Sequence, residues 1–263
     1  MVGNASPFGQ HLRTWRQRRR LSQLDLALEA EISARHLSFL ETGRAQPSRE
    51  MVLLLANRLE TPLRDRNLML AAAGFAPVFS HRGLDDPALE TARRAVDLIL
   101  KGHEPFPALA VDRHWNMVAA NHSVALLLEG LAPALLAPPI NVMRLALHPD
   151  GLAPRIANLA EWRGHLLERL TEQAQSVGDG SLDALLRELH GFPCPAASDL
   201  RATDLGGIAV TLKLVVGERM LSFISMTTVF GAATDVTLAE MTLETFLPAD
   251  QETADALLGM NRA

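Results

Sequence analysis

The chain has 263 residues, of which 48% are hydrophobic, and this length and composition favour two globular domains with packed cores. Its single cysteine, Cys194, excludes an intramolecular disulfide, and the sequence has neither a signal segment nor an apolar run of about 18 residues. We therefore expect a soluble cytoplasmic protein that does not enter membranes.

The net charge of −5 is unevenly distributed along the sequence. Residues 1–76 contain 11 arginines and seven acidic residues, a net charge of +4, whereas residues 77–263 carry −9. The basic amino-terminal quarter agrees with phosphate recognition. A second explanation stays open, because lysine occurs only as Lys101 and Lys213 and an arginine excess also follows from a GC-rich genome.

Five short helices are predicted within residues 1–76 from apolar spacing and capping residues. The first carries Phe8, Leu12 and Trp15 at helical spacing and ends in an arginine-rich run at 16–20. Serines are expected to cap the next three helices. The later helices are predicted to begin at residue 22, to span 33–42, to begin at residue 48 and to span 63–73. These elements predict an all-α domain.

The same residues resemble a helix-turn-helix domain of the Xre or lambda-repressor type. The residues that carry this resemblance are Leu21, Ser22, Gln23, Leu26, Ala27, Ile32, Ser33, Leu37, Leu40, Glu41, Gly43, Pro47 and Ser48. One position departs from the pattern, because Glu31 stands in the turn where glycine is usual. A left-handed conformation at that residue costs about 1 kcal/mol and does not exclude the turn.

The resemblance implies that the third helix enters the major groove of DNA. If Leu37 and Leu40 face inward, the opposite stripe holds Ala34, Arg35, Ser38 and Phe39. Arg35 is the candidate for base reading, because a guanidinium donates two hydrogen bonds to guanine. Candidates for phosphate contact stand at helix ends, and they are Ser22, Gln23, Ser33 and Arg44. In the alternative reading, the two serines act only as N-caps.

A linker with a connecting helix at 87–101 is predicted for residues 77–105, and a second domain for residues 106–263. Within 108–121 the pattern predicts two short strands around a turn. Helices at 123–128, 141–147, 152–176 and 181–189 follow, and strands at 208–216, 221–228 and 241–247 complete the domain, with a tight turn at Gly217. This order resembles a Per-Arnt-Sim (PAS) domain, an α+β fold with an antiparallel sheet.

Nearly the whole chain is similar to the MmyB-like transcription regulators. Besides the third helix and the residues after it, the similarity rests on Arg66, Asn67, Val111, Asp112, Trp115, Asn116, Asn121, Asn141, Arg144, His148, Pro149, Gly151, Asn158 and Trp162. The family implies a PAS-related sensor domain that accommodates fatty-acid-like ligands. It therefore implies a DNA-binding regulator with a small apolar effector, a fatty acid or acyl compound.

Five polar or aromatic residues of the middle segment are candidates for ligand contact. Asn141, Arg144 and His148 share one helical face, and Asn158 and Trp162 are spaced by one turn. Arg144 and His148 would hold a carboxylate by charge-assisted hydrogen bonds. In the alternative reading, Arg144 pairs with an acidic side chain, and His148 and Asn158 cap or bridge the backbone.

Catalytic and metal-binding motifs are absent from the sequence, which predicts that the protein is not an enzyme and needs no cofactor. The nine histidines show no metal-ligand spacing. One alternative is a PAS-type sensor of haem or flavin, with His165 as a possible axial ligand. The expected partners are duplex DNA, an apolar effector and a second copy of the chain, because repressors of this type read two half-sites.

Overall fold

The computed structural model describes residues 6–194 and 210–260. The chain divides into two compact units. One comprises Met1–Gly83 and Gly231–Ala239, and the other comprises Leu84–Phe230 and Glu240–Ala263. The amino-terminal unit thus extends past the predicted boundary at residue 76 and includes a segment from near the end of the chain.

Residues 6–83 fold into five helices, as predicted. Their bounds are α1 (Pro7–Arg18), α2 (Gln23–Glu29), α3 (Ala34–Glu41), α4 (Arg49–Arg58) and α5 (Leu63–Ala72). The side chains of Ser22, Ser33 and Ser48 each accept a hydrogen bond from a backbone amide in the first turn of the following helix. The helices therefore begin where a serine satisfies an amide that has no partner inside the helix.

The core of this unit is built from the apolar faces that the sequence predicts. Phe8, Leu12 and Trp15 of α1 are at most 2% exposed, and Leu37 and Leu40 of α3 are fully buried. In the turn between α2 and α3, Glu31 has φ +55°, the left-handed conformation expected of this position. A non-glycine residue is tolerated there because its neighbours on both sides are held by the core.

The second unit contains a sheet and helices. Its elements are α6 (Glu90–Gly102), β1 (Ala108–Val111), β2 (Met117–Ala120), α7 (His122–Leu127), α8 (Val142–Leu147), α9 (Leu159–Val177), α10 (Gly180–His190), β3 (Thr211–Val216), β4 (Arg219–Val229), β5 (Thr242–Pro248) and α12 (Gln251–Met260). The short helix α11 (Val236–Ala239) lies between β4 and β5 in the sequence and belongs to the first unit. The fold is α+β, as predicted.

All five strands form one antiparallel sheet in the order β2-β1-β5-β4-β3. The hairpin turn between β3 and β4 has Gly217 at φ +60°, the conformation that favours glycine. Residues 208 and 209 of the predicted third strand lie outside the described residues. One hydrophobic cluster joins Leu109, Leu214 and Phe223 of the sheet to Trp162 and Leu170 of α9.

The predicted helix at 152–176 is wrong at its start. A 3₁₀ turn covers Ala153–Arg155, and α9 begins at Leu159. Between them the backbone amide of Ala157 donates to the carbonyl of Lys213, and Asn158 bonds the backbone of β3 through both amide atoms. These contacts to a distant strand hold Ile156 in a β-bridge to Leu214 and residues 157–158 in a turn, neither of which the helical pattern reveals.

Two further helices, α11 and α12, were not predicted from the sequence.

The described part of the chain contains no helix with the length and apolar content needed to cross a membrane.

Candidate DNA-binding surface and ligand cavity

The third helix turns a set of polar and aromatic side chains away from the core. Arg35 is exposed, and its guanidinium carbon lies 5.3 Å from the centre of the Phe39 ring. Arg44, also exposed, approaches the same ring at 5.9 Å. Ala34 and Ser38 are half-buried on the same helix. The two arginines and Phe39 thus form one basic and aromatic patch on the amino-terminal unit.

A buried ion pair fixes this helix to its neighbours. Arg16 of α1 donates to both carboxylate oxygens of Glu41 on α3, at 2.6 and 3.1 Å, and also to the carbonyl of Leu21. Gln23 of α2 donates to the same carboxylate at 2.7 Å. Arg16 is 9% exposed and Glu41 4%. The network therefore holds α1, α2 and α3 in one arrangement.

This network changes the interpretation of two residues. Arg16, which the sequence placed in an arginine-rich helix end, lies in the protein interior. Gln23, predicted to contact phosphate, is half-buried and has its amide committed to Glu41. Ser22 and Ser33 are exposed N-caps, the alternative role considered from the sequence. Arg35, Phe39 and Arg44 remain outward-facing candidates for DNA contact.

The helices α1 and α3 also approach each other very closely at Gly9. A Cβ atom at this position would lie 2.3 Å from the carbonyl oxygen of Glu41 and 2.7 Å from that of Leu40. Only glycine permits this backbone approach, which brings Arg16 and Glu41 within hydrogen-bonding distance of each other.

The second unit encloses a cavity of about 110 Å³. Its lining comes from the sheet and from α7, α8 and α9, and most of it is aliphatic or aromatic. The lining residues are Pro107, Leu109, Trp115, Met117, Val124, Leu127, Leu128, Val142, Met143, Leu145, Ala146, Leu152, Ile156, Trp162, Leu166, Arg169, Leu212, Leu214, Phe223, Ser225, Glu244 and Phe246. Such an apolar cavity with few polar groups is typical of a small-molecule site.

One polar cluster interrupts the apolar lining. Arg169 of α9 donates to both carboxylate oxygens of Glu244 on β5, at 2.5 and 3.0 Å, and to the hydroxyl of Thr227 on β4 at 2.7 Å. Its guanidinium carbon also lies 4.7 Å from the centre of the Trp115 ring. Glu244 is 4% exposed. Helix α9 is thereby tied to two strands at the edge of the cavity.

Trp115 lies in the tight turn between β1 and β2. Its φ is +66°, a left-handed conformation that is rare for a bulky residue and costs about 1–3 kcal/mol. The side chain of Asp112 closes this turn by accepting from the amides of His114 and Asn116. The strain positions the indole so that it lines the cavity while its Nε1 donates to Gln173.

Of the five predicted ligand contacts, the structure brings Trp162 to the cavity and leaves the other four outside its lining. Arg144 forms a two-bond ion pair with Glu188 at 2.5 and 2.7 Å in a solvent-accessible position. This contact raises the pKa of Arg144 and lowers the pKa of Glu188. Pairing with an acidic side chain is the contact of the alternative reading, and a ligand contact of Arg144 stays a prediction.

The remaining three residues bind backbone groups. Asn141 caps α8 and donates to the carbonyl of His114, and Nδ1 of His148 accepts from the amide of Asp150. Asn158 bridges to β3 as described above. The sequence spacing put Asn141 and His148 on one helical face, and the structure shows them completing a local cap and turn, whereas Asn158 contacts β3. His148 and Asn158 thus make the backbone contacts of the alternative reading, and the ligand contacts of all three residues stay predictions.

His165, the candidate axial ligand for haem, packs beside the Trp162 ring and does not line the cavity. Burial lowers its pKa. Among residues 6–194 and 210–260, no group of three His, Cys, Asp or Glu side chains is arranged to hold a metal ion.

Comparison with protein families agrees with both parts of this description. Residues 7–69 match a helix-turn-helix domain, and residues 92–258 match the MmyB-like transcription regulator ligand binding domain. The chain belongs to the MmyB-like transcription regulators. A comparison with curated proteins found no match.

The family match gives the regulator a DNA-binding domain and a ligand-binding domain, and the cavity lies inside the second of these. The polar cluster of the cavity was not predicted from the sequence, because Arg169 and Glu244 are 75 residues apart along the chain. One signal was available: Arg169 lies one helical turn beyond His165 and two beyond Trp162, on the face of α9 that packs against the sheet.

Proposed function

We propose that this MmyB-like regulator binds operator DNA through α3 and that a small apolar acyl ligand, held in the cavity, changes its affinity for DNA. The observation that carries the ligand proposal is the apolar lining with Arg169 and Glu244 at its edge. Each methylene group transferred from water into such a lining contributes about 0.8 kcal/mol. An acyl chain is therefore the ligand class that this cavity favours.

The size of the cavity restricts the ligand further. A volume of about 110 Å³ fits a short or branched acyl segment. A longer chain requires side chains of the lining to move, and Met117 and Met143 are suited to this because methionine is unbranched and flexible. The apolar lining suits the hydrocarbon chain of a fatty acid or of another acyl compound.

The order of elements supports a PAS-like description of the ligand-binding domain. Two strands are followed by helices and then by three strands, and the helices pack against one sheet. In such a layered domain a ligand sits between helices and sheet, which is where this cavity lies.

The DNA-binding role of α3 rests on the outward patch of Arg35, Phe39 and Arg44. We propose that Arg35 reads a base edge, that Ser38 and Phe39 add a polar and a thymine-methyl contact, and that Arg44 neutralises a phosphate. Because regulators of this type read two half-sites about one helical turn apart, we expect a homodimer on a pseudo-palindromic operator.

The segment between β4 and β5 offers a route for the ligand signal. Asp235 pairs with Arg82 at 3.0 Å, the amide of Val236 donates to the carbonyl of Ser80, and Thr237 donates to the carbonyl of Arg82. The strands that this segment joins carry Thr227 and Glu244, the partners of Arg169. A ligand that shifts β4 or β5 would therefore also displace the segment between them, which belongs to the DNA-binding unit.

Filling the cavity tests the ligand proposal. Ala146 lines it from α8, so Ala146→Phe is expected to abolish acyl-compound binding because the new ring occupies the space. Overpacking of this kind costs about 1–3 kcal/mol of stability, which thermal melting would measure. The assay is mass spectrometry of organic extracts of the purified full chain, which is expected to show an acyl compound only where the cavity is open.

Ala125→Phe is the matched control, because Ala125 is an exposed residue of α7 outside the cavity lining. The control is expected to extract the same compound as the native chain. Equal amounts of compound in folded Ala146→Phe and in the native protein would show that the ligand binds elsewhere.

A further inference from the structure

The polar edge of the cavity carries no net charge. The guanidinium of Arg169 and the carboxylate of Glu244 form a two-bond pair, and Ser225 adds a neutral hydroxyl to the lining. The side chain of Glu244 is 6% exposed and that of Arg169 is 24% exposed. A ligand that enters the cavity therefore meets a positive charge that is already neutralised by a buried negative one.

Arg169 retains hydrogen-bonding capacity beyond this pair. A guanidinium has five N–H donors. Glu244 accepts one hydrogen bond from Nη1 and one from Nη2 of Arg169, and Thr227 accepts a second hydrogen bond from Nη2. Within the described part of the chain, this leaves the Nε–H and one Nη1–H for a ligand oxygen. Each carboxylate oxygen of Glu244 accepts from Arg169, and one of them also accepts from the hydroxyl of Thr227, so the other oxygen keeps a lone pair for a ligand N–H or O–H.

We propose that the cavity selects an acyl ligand with an uncharged polar head, such as an amide, and that Glu244 discriminates against an ionised carboxylate. The proposal rests on the function proposed above and specifies its ligand class. A carbonyl oxygen accepts from Arg169, and a head-group N–H donates to Glu244. A carboxylate head satisfies only the first of these contacts and places a second negative charge beside a buried one.

A carboxylate ligand has one other way to reach Arg169, which is to displace Glu244 from the pair. This outcome is unfavourable because it leaves the nearly inaccessible Glu244 side chain charged and without its cation. It also disturbs the contact of Arg169 with Thr227 and its stacking on Trp115. Thr227 itself lies within 3.4 Å of both oxygens of Glu244, so the three side chains form one connected network.

Octanamide and octanoate form a suitable probe pair, because they have the same chain length and differ in the charge of the head. Calorimetric titration of the delipidated full chain is carried out at pH 7.5, where octanoate is ionised. Octanamide is expected to bind at least about tenfold more tightly, because placing two like charges side by side at a binding site is strongly unfavourable. Glu244→Gln removes the negative charge and leaves Arg169 uncompensated, so this variant is expected to prefer octanoate.

Glu218→Gln is the control, since Glu218 is exposed in the β3–β4 turn and should leave the preference for octanamide unchanged. If Glu244→Gln does not fold, the comparison of the two probes on the native chain decides the proposal alone. Octanoate binding as tightly as octanamide, or more tightly, overturns the neutral-head proposal and leaves the acyl-sensing function standing. Binding of neither probe overturns both.

Discussion

Replacing Arg35 with alanine is expected to weaken binding to the specific operator by about 5- to 150-fold while changing non-specific binding much less. The range corresponds to about 1–3 kcal/mol, the discrimination given by a guanidinium that donates two hydrogen bonds to guanine. Arg35 is exposed on α3, and its guanidinium stacks on the Phe39 ring. Its replacement therefore removes the contact with DNA without disturbing the core.

The measurement is fluorescence anisotropy of the full chain on an operator selected from random duplexes. A scrambled duplex gives the affinity for non-specific DNA. Arg35→Lys sharpens the test, because lysine keeps the charge but loses the two-bond geometry. This variant should retain non-specific affinity and lose specific affinity. Arg58→Ala, at the exposed end of α4, is the control for a change of one positive charge.

Equal losses on both duplexes would assign Arg35 to phosphate contact instead of base reading. Unchanged affinity on both would mean that this face of α3 does not meet DNA.

Removing the carboxylate of Glu41 is expected to have the largest effect on stability. Glu41→Ala leaves the buried guanidinium of Arg16 without its counter-charge, a change that costs about 3–5 kcal/mol. Because domains of this size are stable by only about 5–15 kcal/mol, the amino-terminal unit is expected to melt far below the native temperature or to remain unfolded. DNA binding should disappear together with the structure of α3.

Denaturant unfolding of the full chain, followed by far-ultraviolet circular dichroism, measures this loss. Glu29→Ala serves as the control, since Glu29 is an exposed residue at the end of α2. The double variant Arg16→Met with Glu41→Leu tests the cause, because it removes both charges and should recover part of the lost stability. A loss below about 1 kcal/mol for Glu41→Ala would show that the pair behaves like an exposed one.

Local signals were sufficient to predict the amino-terminal domain. Each of its helices carries an apolar stripe, and Ser22, Ser33 and Ser48 stand at helix starts, so the relevant physics lies within a few residues along the chain. Even the exception at Glu31 was predicted, because the turn geometry follows from the helices on either side. The hairpin at Gly217 was predicted for the same reason, whereas the antiparallel sheet was predicted from the resemblance to a PAS domain.

Contacts between distant residues could not be predicted in this way. Arg16 and Glu41 are 25 residues apart, and Arg144 and Glu188 are 44 apart. No periodicity connects such partners, so an arginine that pairs internally looks the same in sequence as one that binds a ligand. The start of α9 was predicted too early for a similar reason, since Asn158 is held by a strand more than 50 residues away along the chain.

The family match specifies a DNA-binding and a ligand-binding domain. The homodimer, the cytoplasmic location, the DNA-contacting residues and the acyl ligand remain predictions.

The most direct test of the account is anisotropy of the full chain on its selected operator with and without a saturating acyl ligand, using the compound extracted from the protein or octanamide. We predict salt-sensitive binding whose affinity changes by about 5- to 150-fold with ligand, the usual range for coupled sites. We also predict that Ala146→Phe binds DNA but no longer responds. Identical binding curves with and without ligand for the native chain, under conditions where the ligand is bound, would contradict a ligand-responsive regulator.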